Sequence, residues 1–275
     1  MKIHKKFFAY WFIRYFLTIP FYLLFFLIFV KNGKYRKLLN NEEIFIFGSG
    51  HSINDHDLSG LVNKNIIFIN NFCSHNLFKN LMKNNNCFYI ISPFHFPQTK
   101  DEILDFLKII EKNVNTNVPI FFGLTPRIGN AYSIIKKNSL FKNHDINFYL
   151  VGNFFKNSFK LNWIVSMAGA GSIYAIYLGL YMGCGKFYLL GMDHDYFLKK
   201  NQNFNFYKQL NIQKNEIKLK SKNYVLNELN RQHRIFKDYI KIRDRNPVII
   251  YNCSKRGILD VFPRIDLNKI INNKK

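Results

Sequence analysis

Seven short apolar runs, at 44–47, 66–70, 87–91, 118–122, 147–151, 186–190 and 247–251, punctuate the chain. Each has the length and near-continuous apolar character of a strand buried on both faces. Helical patterns at about 75–83, 100–112, 169–183 and 222–241 fall between several of them. Strands that alternate with helices build βαβ units. The spacing therefore predicts an α/β fold: a Rossmann-like, mostly parallel sheet with flanking helices, free of internal repeats.

Two glycine-containing turns sit where such a sheet binds ligands. In open α/β sheets the ligand crevice lies outside the carboxyl ends of the strands. Residues 166–195 run from a small-residue loop through an apolar helix and a short strand to Asp193, His194 and Asp195. This acidic cluster is either a site of chemistry or a strand-end turn in which Asp193 caps the next segment. The second turn is IFIFGSGHSIN, residues 44–54. Gly48 and Gly50 allow a sharp turn and close approach of backbone to a ligand. Ser52 or Asp55 is placed to cap a following helix, whose free N–H groups would suit a phosphate. Ile53 stands where a dinucleotide fingerprint has its third glycine. Asn70 and Asn71 occupy the region of its acidic residue. A mononucleotide fits this pattern better than a dinucleotide.

The first forty residues have a different character. Phe7 to Val30 is apolar except for Arg14, Thr18 and Pro20, and its 24 residues exceed the roughly 20 that span a bilayer. The uninterrupted part, Tyr15 to Val30, is 16 residues, and Pro20 would kink a helix there. Lys2, Lys5 and Lys6 precede it, and Lys31, Lys34, Arg36 and Lys37 follow. Charge on both flanks gives no orientation, so a spanning helix fits, as does a kinked helix or shallow hairpin lying on the inner leaflet. The expected organisation is a hydrophobic membrane-anchor helix over 1–38, followed by one α/β domain over 39–275.

The formal net charge of +23 favours anionic partners, among them an anionic membrane surface. Nucleic acid is not expected, because no zinc-finger, RGG or RNP pattern appears. Cys73, Cys87, Cys184 and Cys253 show no paired spacing and read as reduced core thiols of a cytosolic domain, with no zinc site. Residues 199–222 are rich in Asn and Lys, with Phe204, Phe206 and Tyr207 interleaved. They read as a solvated loop or as a lid over the site.

The turn GSGHS, the strand end IFINNF, the block from AGAGS to GMDHDY and the tail YNCSKRGILDVFP occur here in a particular order. In that order they resemble two related groups of bacterial proteins. One is the sialyltransferases of the Campylobacter type. The other is the Maf-like, DUF115-type set that transfers nonulosonic acids. The resemblance spans roughly residues 42–265, and the tail looks closer to the second group.

The resemblance implies a membrane-associated glycosyltransferase at the cytoplasmic side of the bacterial inner membrane. Its donor would be a CMP-activated nonulosonic acid, its acceptor a glycan or lipid-linked precursor, and it would require no cofactor. Gly48, Ser49, Gly50 and Ser52 would then lie at the ribose and phosphate. Asn70 or Asn71 would hydrogen-bond the nucleotide, as would Gly171 and Ser172 at a helix N-terminus. In those enzymes two tyrosines neutralise the leaving phosphate. Tyr196 and Tyr207 are nearest here, with a spacing that matches poorly. The histidine base of those enzymes aligns with Val225 to Asn227, where this chain has none. His194, flanked by Asp193 and Asp195, and His233 remain as alternatives. A different chemistry fits the same cluster: Asp193 and Asp195 holding Mg²⁺ in a pterin pyrophosphokinase-like phosphoryl transfer. A non-catalytic nucleotide-binding scaffold is the third possibility.

Overall fold

A computed structural model describes residues 17–95, 98–126, 131–153, 158–198 and 224–272. Its centre is one eight-stranded sheet in the order β6-β5-β4-β3-β2-β1-β7-β8, with every neighbouring pair parallel. The strands are β1 (Glu43–Phe47), β2 (Asn65–Ile69), β3 (Asn86–Ile91), β4 (Ile120–Leu124), β5 (Ile146–Gly152), β6 (Ile164–Ser166), β7 (Lys186–Leu190) and β8 (Ile249–Asn252). All seven runs expected from the sequence are strands. β6 is the addition, a three-residue edge strand too short to register as a run.

Alternation along the strands divides the core in two, because successive side chains point to opposite faces. Phe45, Phe47, Ile66, Phe68, Tyr89 and Ile91 pack on one face. There they meet helices α1 (Leu17–Leu24), α2 (Phe26–Val30), α3 (Phe78–Asn84), α4 (Lys100–Asn113), α5 (Ala131–Lys137) and α8 (Leu267–Asn272). Ile44, Ile46, Ile67, Ile69, Phe88 and Ile90 face the other way. They pack on α6 (Gly171–Tyr181) and α7 (Tyr224–Arg245). α6 is apolar all round and nearly every residue in it is buried. α4 starts at a capping box, with Thr99 accepting from the Glu102 N–H and Glu102 accepting from the Thr99 N–H.

The N-terminal segment departs from a single anchor helix. Among the described residues, no single helix is long and apolar enough to cross a membrane. Leu17–Leu24 and the helical stretch Phe26–Tyr35 meet instead at 74°. The segment is also built into the α/β body. Tyr22, Phe29, Tyr35 and Leu39 are buried in its core. The fully buried Asn32 donates through Nδ2 to the carbonyls of Phe148 (2.7 Å) and Leu161 (2.8 Å). Its other side is apolar and open: Leu23, Leu24 and Leu27 are 65–77% exposed. The four cysteines are free and buried. The expected lid, 199–222, lies outside the described residues.

Candidate functional site

The chain fills the sheet from β1 to β6 in one direction, then returns to lay β7 beside β1. The carboxyl ends of β1 and β7 thus form the switch point where a doubly wound sheet opens its crevice. Both glycine turns emerge there, and they close on each other. Gly48 N–H donates to the Leu190 carbonyl (2.8 Å) and Gly50 N–H to that of Gly191 (2.9 Å). A Cβ on Gly50 would lie 2.6 Å from the Gly191 carbonyl oxygen and 2.7 Å from Asp193 Cγ. The glycine is needed so that two loops can touch, where the sequence suggested room for a ligand.

Asp193 completes that closure. Its Oδ2 accepts from the backbone N–H of Ser52 (2.9 Å), and Oδ1 accepts from the Ser52 hydroxyl. The segment after Gly50 is a single 3-10 turn, His51–Asp55, without a side-chain cap of its own. The expected cap from Ser52 or Asp55 is therefore absent. A carboxylate from the other loop sits at the N–H group expected to hold phosphate. The tail braces the arrangement: the Met192 N–H donates to Ser254 Oγ (3.0 Å), and the Ile258 N–H to the Asp193 carbonyl (2.8 Å).

His194 turns away from this latch, in the left-handed region at φ 56°. Nδ1 lies 3.0 Å from Gln232 Oε1 and Nε2 lies 2.9 Å from the Tyr239 hydroxyl, which also bonds to Ser172 Oγ. The amide oxygen only accepts, so Nδ1 carries the proton and Nε2 accepts from Tyr239. Burial lowers the His194 pKa to about 4, outweighing the opposing Gln232 hydrogen bond. The imidazole is neutral at pH 7 with both nitrogens occupied. Gln232 and Tyr239 belong to a stripe on α7 formed by Glu228, Gln232, Ile235, Tyr239 and Ile242, all buried. Asp195 is buried as well. His233 projects from the exposed side of α7. The two histidines proposed as base thus sit apart, one locked in a network and one at the surface.

A cleft of about 410 Å³, its walls part polar and part apolar, lies beside the closed switch point, over the carboxyl ends of β2 to β6. Asn70, Ser92, Phe94, His95, Thr125, Gly171, Tyr174 and Arg231 line it. Asn70 takes φ 49°, and its Oδ1 accepts the Ser92 N–H (3.0 Å). Its carbonyl accepts from the Tyr89 hydroxyl (2.6 Å). Ser92 Oγ is buried and has no hydrogen-bond partner among the described residues. α6 begins at Gly171, and its N-cap residue, Ala170, makes no side-chain capping bond. A Cβ on Gly171 would lie 2.7 Å from Ser92 Oγ and 2.9 Å from Asn70 Nδ2, so this glycine lets the helix end reach the cleft floor. Arg231 enters from α7, with Nη2 on the Gly169 carbonyl (3.1 Å) and Nη1 3.5 Å from Glu228.

Of the expected residues, Asn70 and Gly171 line this cleft, and Gly48, Ser49, Gly50, Ser52 and Asn71 do not. Asn71 is buried beneath the turn after β2, where its Oδ1 accepts from Ser74 Oγ (3.4 Å). Ser172 points into the His194 network. Tyr196 opens a 3-10 turn, Tyr196–Leu198. Tyr207 lies outside the described residues. Sequence reasoning missed Ser92, His95 and Arg231. Ser92 and His95 follow directly on β3, and their place at a strand end was the one available signal.

With an uncapped helix N-terminus, a guanidinium and no carboxylate among the described lining residues, the cleft is suited to an anion. No group of three or more potential metal ligands occurs among the described residues. The structure is similar to two structures of the sialyltransferase CstII from Campylobacter jejuni. One is in complex with the substrate analogue cytidine-5'-monophosphate: TM-score 0.48, 19% identity, covering 83% of this chain and 86% of that chain. The other is in complex with CMP-3FNeuAc: TM-score 0.43, 19% identity, covering 82% and 86% respectively. No family model and no curated protein matches the sequence.

Proposed function

We propose that the protein is a glycosyltransferase that moves a nonulosonic sugar from a CMP-activated donor to a glycan or lipid-linked acceptor. The observation that carries this reading is the convergence of α6's uncapped N-terminus and Arg231 on the cleft. An uncapped helix end and a guanidinium stabilise a phosphate, and they do so more strongly as charge develops on a departing nucleotide. The motif order from GSGHS to the tail supplies the expectation of CMP.

In this reading the α6 N-terminus and Arg231 hold the phosphate, Ser92 Oγ and Asn70 hydrogen-bond the nucleoside, and Phe94 offers an aromatic wall to the base. The bond between the sugar's anomeric carbon and the phosphate oxygen breaks, and CMP leaves with that electron pair. The acceptor hydroxyl then attacks the anomeric carbon and gives up its proton. His95 lines the cleft and takes that proton. His194 positions: it ties α7, and with it Arg231, to the start of α6. The reaction needs no metal, and the exposed apolar face of α1 and α2 rests on the inner leaflet of the bacterial inner membrane.

Titration of the full-length protein with CMP, GDP, UDP and ATP, with and without Mg²⁺, tests the assignment. CMP preference that persists in EDTA supports it. ATP binding that requires Mg²⁺ replaces it with the phosphoryl-transfer reading. A CMP-binding protein that never turns over a donor would be a scaffold.

A further inference from the structure

A second cavity, of about 820 Å³, lies between the N-terminal helices and the α4–α5 pair. Its walls are apolar: Pro20, Phe21, Leu24 and Phe25 from the bent helices, with Leu104 and Tyr132 opposite. Two cations, Lys100 at the start of α4 and Lys137 at the end of α5, stand among its lining residues, with Asp101 as the acid. This volume falls within the range of ligand-binding pockets. The enclosing helices also present Leu23 and Leu27 outward, so the cavity is continuous with an apolar surface suited to the headgroup boundary of a bilayer.

Its position relative to the cleft gives it a purpose. Thr125 and Pro126 are consecutive residues at the carboxyl end of β4. Thr125 lines the cleft and Pro126 lines the apolar cavity. The two spaces thus adjoin at the carboxyl end of β4.

We propose that this cavity holds the hydrocarbon chain of a lipid phosphate, whose phosphate lies at Lys100 and Lys137 and whose headgroup is the sugar acceptor. The identity of the headgroup as acceptor rests on the transfer reading; occupation by the chain does not. The chain supplies apolar contact along the cavity's described walls, and the two lysines select an anionic headgroup over a cationic one.

The test uses full-length protein on neutral phosphatidylcholine vesicles doped with an alkyl phosphate that carries a photoreactive group at the chain end. Crosslinks are expected on Leu104 and Tyr132, about tenfold more frequent than with a trimethylammonium probe of the same chain. Leu104→Trp should abolish crosslinking to Tyr132 and leave that to Leu23 and Leu27 intact. The double variant Lys100→Glu/Lys137→Glu should erase the preference for phosphate. Crosslinks confined to Leu23, Leu24 and Leu27 would overturn the proposal, because the bilayer would then touch only the outer face. Equal labelling by both probes would overturn the lysine assignment. CMP binding is measured on the same samples. Labelled cavity residues in a protein that binds no CMP would support the chain site and sink the transfer reading.

Discussion

The carboxylate of Asp193 accepts hydrogen bonds from both the backbone N–H and the hydroxyl of Ser52, 141 residues earlier in the chain. This pair fastens the loops after β1 and β7 at the point where the strand order reverses. Both residues are buried. Removing the carboxylate therefore strands two donors that water does not reach.

Asp193→Ala should lower the unfolding free energy by about 2–3 kcal/mol, the cost of leaving buried groups unpaired. Ser52→Ala should cost about 1 kcal/mol, the typical net worth of a hydrogen bond. The double variant should cost less than the sum, because the two share one interaction. Urea unfolding of the three variants checks this, and strict additivity would contradict the latch.

His194 makes stability depend on pH. Burial holds its folded pKa at about 4, below the ordinary 6.5, so the unfolded chain binds more protons between those values. Stability is full above pH 6.5 and falls as pH drops toward 4, by at most about 3 kcal/mol for this group. His56 and His75 are also held low, chiefly by burial, and act in the same direction. The comparison is therefore wild type against His194→Asn, a residue that tolerates the left-handed backbone. The variant should lose part of the slope between pH 4 and 6.5; an identical slope would contradict the assignment.

Asn32 tests whether the N-terminal segment belongs to the body. Asn32→Leu keeps the size, removes both donors to the Phe148 and Leu161 carbonyls, and should destabilise the protein by about 2–3 kcal/mol. A melt unchanged from wild type would show that the segment is only attached.

The two exposed histidines separate the candidate bases. His95→Ala should lower kcat by roughly 10²–10⁴ with CMP affinity unchanged, the scale of lost general base catalysis. His233→Ala should leave turnover intact. The reverse result would move the base to α7.

The sheet was legible because its signal is local. A parallel strand buried on both faces is a short apolar run, and glycines such as Gly48 and Gly50 mark the turns after it. What those glycines do was not legible, since a close backbone contact and a ligand contact both call for a missing Cβ. The partner at Gly50 is Asp193, and nothing in either turn announces the other. Arg231 was invisible for a related reason: on an amphipathic helix rich in Lys and Arg, one guanidinium that meets the cleft resembles those that meet solvent. A kinked helix or shallow hairpin was among the readings the sequence allowed, but Pro20 was the one residue that marked a break, and the bend lies near residue 25. The buried Asn32 beyond it, which holds the segment down, lay in the basic flank of the apolar run.

Release of CMP from a CMP-linked nonulosonic acid, followed in EDTA with wild type and Arg231→Ala, tests the central claim most directly. The wild-type protein should release CMP faster when an acceptor glycan is present, and the glycan should gain one sugar mass. Arg231→Ala should bind CMP at least tenfold more weakly and lose most turnover, since a charge-assisted phosphate contact contributes about 1.5–3 kcal/mol. Equal CMP release by both proteins, or none by the wild type at any acceptor concentration, would contradict the account.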